Sequence, residues 1–229
     1  MTEVRVAIKS WALFNAMNGN EHHKRKELQL ALNHLKLSDK MIYMRLVMAT
    51  DTIMAIFRVT EQKGKDKLTF CTLARDLADA EFLEQIFNYH KNKNLNLNYF
   101  DQVYENNSRI YAKEFLEIFP KKWDKSNSNN LTNKKILKFR ENYKDIRDKL
   151  LAHSVSHANL KQPTIDEISQ TIELLSIQAS QVHYIYSGNS EQLNEFSKIQ
   201  QKESLELWNT FEEGLSRVVN TDKADSTKK

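Results

Sequence analysis

Apolar residues recur along this chain at intervals of three and four, the mark of helices that bury one face. The clearest run is Ile136, Phe139, Tyr143, Ile146 and Leu150, spaced 3, 4, 3, 4. A seam of that kind packs against another helix, and it predicts a helix over residues 132–153. Earlier in the chain the pattern predicts a helix over residues 3–17 that ends near Gly19, and a second in "EHHKRKELQLALNHLKL". Ser38 is a suitable N-cap for a third helix that reaches residue 62 and stops at Gly64. Its apolar stretch "MIYMRLVMATDTIMAIF", residues 41–57, reads as a central helix buried on most sides.

Shorter helices follow in "FCTLARDLA" and "EFLEQIFNYHK", then a longer one that Pro120 terminates. "KKWDKSNSNNLTNKK" is the best internal loop. "TIDE", residues 164–167, is a capping box that opens a helix ending at Gly188. A last helix is expected over residues 190–219, leaving 220–229 as a disordered tail after one helical domain over 1–219.

Composition agrees with this reading. The 229 residues include only four glycines and two prolines, too few for the turns of a sheet-rich protein. The expected fold is all-α. One cysteine, Cys71, excludes a disulfide framework and any CxxC unit, and its apolar helical setting makes it a small buried hydrophobe. No HExxH spacing links the histidines and no glycine-rich phosphate loop exists, so neither metal nor cofactor is assigned. The N-terminus lacks the layout of a secretory signal, and no run reaches about 18 apolar residues. A cytoplasmic protein that does not cross a membrane is expected.

Net charge is +4, and it is concentrated. Residues 134–149 hold seven cations against three carboxylates, a surplus equal to that of the whole chain. That focus suits a polyanionic partner or simply a solvated lysine face.

In the same helix Arg147 and His153 stand six residues apart, too far for an intrahelical contact. At about 100° per residue they flank the seam about 120° apart, and about 9 Å apart along the axis. Two copies of the helix end related by a two-fold axis would bring both pairs into one cleft. Geometry alone also fits a surface arginine paired with Asp148 or Asp145, and a last-turn histidine favoured by the helix dipole.

The string "RDKLLAHS" resembles the Arg-polar-x4–6-His signature of the HEPN superfamily of helical nucleases, in its abortive-infection-type branch. Arg147 is the arginine, Asp148 the polar residue and His153 the histidine. "FRVTEQKGKDKLTFCTLARDL", residues 57–77, resembles the segment that precedes the motif helix there, and the likeness spans residues 11–186. It implies a HEPN-like helical bundle, here with extra N- and C-terminal helices, dimerising through the motif helix. It implies metal-independent endoribonuclease activity in a toxin or antiphage defence effector, with a cognate antitoxin or regulatory protein as a further partner. Other members are non-catalytic RNA-binding or interaction modules.

The residues suit that chemistry. RNA supplies its own nucleophile in the 2′-OH, so His153 can serve as general base or acid with its ordinary pKa of about 6.5. Arg147 can grip the non-bridging oxygens with its planar fork. A 2′,3′-cyclic phosphate and a 5′-hydroxyl are the expected products. Arg140 and Lys144 are candidates for flanking phosphates, and Tyr143 for stacking on a base, although its seam position also suits interface core. Asp51, the acid within the long apolar stretch, is expected to hold Arg147 or another cation. His157 reads as a loop histidine.

Overall fold

The computed structural model describes residues 2–18, 22–61, 69–93, 98–119, 131–151, 163–189 and 193–226; within them, residues 22–27, 98–101, 131–132, 149–151, 194 and 218–226 are described by backbone alone. The described residues form α-helices joined by turns, with no strand among them. In chain order these are α1 (Thr2–Met17), α2 (His22–His34), α3 (Ser38–Val59), α4 (Phe70–Leu77), α5 (Ala80–Lys93), α6 (Asn98–Ile118), α7 (Leu131–Leu151), α8 (Ile165–Ser187) and α9 (Leu193–Ser226). The protein is all-α, and no helix among the described residues is long and apolar enough to cross a membrane.

The helices fall into two compact units. One unit joins Met1–Arg5 to Ile53–Asn194, and the other joins Val6–Thr52 to Glu195–Lys229. Helices α1 and α3 each contribute to both. The last helix continues to Ser226, beyond the expected end at residue 219. The segment after Val219 lacks glycine and proline, so nothing in it breaks a helix.

The larger unit is built around α6 and α8, with α4, α5, α7 and the C-terminal end of α3 from Ile53 on their flanks. Its centre is aromatic. Phe70 of α4 meets Phe115 and Phe119 edge-on, with ring centres 5.4 and 4.9 Å apart, the arrangement that the ring quadrupoles favour. Helix α4 manages with eight residues because five of them are buried. A capping box also starts it, in which the Thr69 hydroxyl accepts from the Thr72 amide and the Thr72 hydroxyl from the Thr69 amide. The expected box at Thr164 and Glu167 is present and opens α8. Gly188, at φ 71°, closes that helix in the left-handed conformation.

Some helix ends are also held by donors from neighbouring helices. The last carbonyls of a helix have no partner within it. Asn133 Nδ2 of α7 donates to the Ile118 carbonyl of α6 at 2.6 Å. His90 Nε2 donates to the Tyr186 carbonyl at 3.0 Å, and the Tyr104 hydroxyl donates to that of Ile185. Burial pushes the Tyr104 phenol up to about 12, and burial with the nearby Asp76 charge does the same for Tyr186. The unfolded phenols ionise near the ordinary value of about 10. Stability is therefore full below pH 10 and is lost as pH rises toward 12. Alkaline titration followed by tyrosinate absorbance and far-UV circular dichroism should show ionisation and unfolding together in that window; ionisation without unfolding contradicts this.

The smaller unit packs Ala16 and Met17 of α1, Leu28, Ala31 and Leu32 of α2, Met41 of α3, and Trp208 and Leu215 of α9 into one core. Arg45 Nη2 donates to the Met17 carbonyl at 2.8 Å and closes α1. Helix α2 ends in a Schellman turn: the Leu37 amide donates to the Leu32 carbonyl at 2.8 Å, and the Lys36 amide to that of Asn33 at 3.1 Å. Lys36 sits at φ 55°, a conformation costly for a residue with a Cβ. Lys36→Gly should raise stability by about 0.5–1 kcal/mol in urea denaturation, and a loss of stability would refute this reading of the turn. Ser38 lies inside α3 and does not act as the expected N-cap: its hydroxyl donates to Asn33 Oδ1, and the Leu37 carbonyl accepts the first amide.

The apolar stretch over residues 41–57 departs from expectation. Ala55, Ile56 and Phe57 are buried, but Ile42 is 63 % and Tyr43 67 % exposed. Asp51 is also exposed and has no partner among the described residues, so it does not hold Arg147.

Candidate active site

The seam of α7 is filled from within the chain. Ile136, Phe139, Tyr143 and Ile146 are buried, and α6 and α8 of the same unit pack against this helix. The Phe139 ring meets Tyr143 at 4.8 Å and Phe57 of α3 at 6.3 Å. Tyr143 is fully buried, and its hydroxyl donates to Glu167 Oε2, the carboxylate that also closes the α8 capping box. Burial, aided by that carboxylate, raises its pKa. Tyr143 is therefore no base-stacking platform, because its ring has no face open to solvent. The described seam residues, Ile136 to Ile146, are covered by the chain's own helices.

One flank of α7 carries the basic residues. Arg140, Lys144 and Arg147, spaced four and three apart, fall within about 60° around the axis. Arg140 is committed to the fold. Its Nη1 donates to the Thr60 carbonyl, and to the Thr60 hydroxyl at 2.7 Å, which closes the end of α3. Its guanidinium lies 5.6 Å from the centre of the Phe57 ring. Burial lowers the Arg140 pKa, and the neighbouring Arg147 charge pushes it the same way. With both donors of its Nη1 and one face engaged, Arg140 is a helix-closing residue and not the flanking phosphate contact expected of it. Lys144 is exposed and remains on the surface.

Arg147 shares the Phe57 ring with Arg140. Its guanidinium lies 5.4 Å from the ring centre, and its side chain is 24 % exposed. Nε donates to Asp148 Oδ1 at 2.8 Å, and Nη2 donates to the same oxygen. The ring contact contributes about 0.5–1 kcal/mol, as for an exposed cation–π pair. The ion pair is exposed and adds little, about 0–1 kcal/mol. A phosphate reaching Arg147 therefore needs only to displace one neighbouring carboxylate.

His153 and His157 lie outside the described residues. The structure thus brings together Arg147, Asp148, Arg140 and Phe57, with exposed Lys144 on the same flank, and turns Tyr143 into the core. Phe57 went unnoticed in the sequence, where it is one apolar residue at the end of an apolar run. Cys71 is buried, as expected, with its Sγ 4.0 Å from the Thr60 carbonyl. Compared with known proteins, the chain matches no family model, no curated protein and no solved structure.

Proposed function

We propose that this protein is a metal-independent endoribonuclease of the HEPN type, acting as a toxin or antiphage defence effector in the cytoplasm. The reading is carried by the Arg147 guanidinium, held over Phe57 and partly exposed on the flank that also presents Lys144. The all-helical fold and the Arg147, Asp148, His153 string are consistent with it. In this mechanism Arg147 exchanges Asp148 for a non-bridging phosphate oxygen and neutralises the charge that grows in the transition state. His153 takes the proton from the 2′-OH or delivers one to the departing 5′-oxygen. Because Ile136 to Ile146 of the α7 seam are covered, two copies would combine their Arg147 flanks. Total RNA incubated with the protein in EDTA should be shortened to fragments ending in a 2′,3′-cyclic phosphate and a 5′-hydroxyl, while DNA stays whole. Intact RNA, or cleavage that EDTA abolishes, overturns the proposal.

A second reading has its own observation. Asp148 occupies the fork of Arg147, the pairing expected of an ordinary surface arginine. That favours a non-catalytic module that binds RNA or protein through the same flank. RNA retained on the protein without shortening identifies it.

A further inference from the structure

Helix α3 begins with an apolar face that the chain leaves uncovered. Ile42 and Tyr43 are 63 % and 67 % exposed, and Met44 and Leu46 are 43 % and 42 % exposed. Val47, Met48, Ala49 and Thr50 are half-buried. Ile42, Leu46 and Ala49 form one stripe at helical spacing, and Tyr43, Val47 and Thr50 form the next. Monomeric proteins rarely leave contiguous apolar surface of this kind. It contains no free charge. Arg45, the one charged residue between Lys40 and Asp51, is turned away onto the Met17 carbonyl.

The two ends of the face identify what covers it. Lys40 stands at one end and Asp51 at the other; both are exposed, and neither has a partner among the described residues. Eleven positions separate them, so they lie about 16 Å apart and within about 20° of one line along the helix. An apolar face with opposite charges at its two ends complements itself when a second copy is laid on it antiparallel. The two-fold axis then passes between Arg45 and Leu46. Met44 and Val47 lie between Lys40 and Asp51, within about 40° of the same line, so each Lys40 meets the other copy's Asp51 and each Met44 the other copy's Val47. Asp39 stays near the helix start, where the dipole favours a carboxylate, about 100° around from Lys40.

We infer that the N-terminal half of α3, from Lys40 to Asp51, is a two-fold interface between two copies of this chain. The inference is independent of the nuclease reading and concerns a different helix from α7. Two-fold contacts use the same patch on both subunits, and this patch is built for that.

The test is the particle mass of the full chain by light scattering and sedimentation, with far-UV circular dichroism as a folding control. Met44→Glu sets a charge against the other copy's Val47 and should halve the wild-type mass, whatever association occurs at α7. Lys40→Asp and Asp51→Lys each set like charges against each other at both ends, and each should weaken self-association at least tenfold. Mixing these two variants should restore it, because each copy then carries the complement of the other at both ends. The doubly exchanged Lys40→Asp/Asp51→Lys chain should associate like wild type. A wild-type monomer, an unchanged mass in folded Met44→Glu, or a mixture that stays dissociated overturns the interface. The mixing experiment uses only surface charges, so it still decides the matter if Met44→Glu fails to fold.

Discussion

Arg147→Ala and His153→Ala should each lower RNA cleavage by about 10²–10⁴-fold, the usual worth of one positioned acid–base or oxyanion-stabilising group. The Arg147 variant is informative because the side chain contributes so little to the fold. It is partly exposed and makes an exposed ion pair and one ring contact, together about 1 kcal/mol. Thermal unfolding should therefore move only slightly while cleavage collapses. Asp148→Asn leaves a polar group beside the arginine but removes the competing charge, so cleavage should be retained or raised. The measurement is single-turnover cleavage of a labelled RNA, with unfolding followed in parallel. Full activity in both alanine variants ends the nuclease proposal.

Tyr143→Ala should destabilise the larger unit by about 3–5 kcal/mol, the range for truncating a buried aromatic residue. The ring is fully buried against Phe139, and the hydroxyl donates to Glu167. Tyr143→Phe keeps the ring and loses only the hydrogen bond, at a cost of about 1–2 kcal/mol because a carboxylate is the acceptor. Urea denaturation of the two variants separates the contributions. If Tyr143 served RNA instead of the core, Tyr143→Ala would weaken RNA binding and leave the denaturation midpoint alone; that result would contradict the packing described above.

Helix positions were readable because they depend on local spacing. The 3, 4, 3, 4 run of α7 reports a buried face whichever neighbour covers it. The box at Thr164 and Glu167 was legible for the same reason, since capping is settled within four residues. The box at Thr69 and Thr72 was missed because threonine replaces the usual glutamate at its fourth position. The roles of Arg140 and Tyr143 stayed open in the sequence for a different reason. A cation in a basic run and an aromatic on a seam look alike whether they face solvent or a neighbouring helix. Here Thr60, eighty positions before Arg140, decided one, and Glu167 decided the other.

By itself, the sequence determined that this chain is helical, where most of its helices lie, that Cys71 is buried, and that Arg147 and Asp148 stand together near the end of α7. Spacing and composition encode all of these within a few residues. Only the tertiary structure decided that α7's seam from Ile136 to Ile146 is covered by the chain's own helices, that Arg147 lies over Phe57, and that the start of α3 is left uncovered. Each depends on which distant helix occupies a face, and a hydrophobic pattern records that a face is to be covered without recording by what.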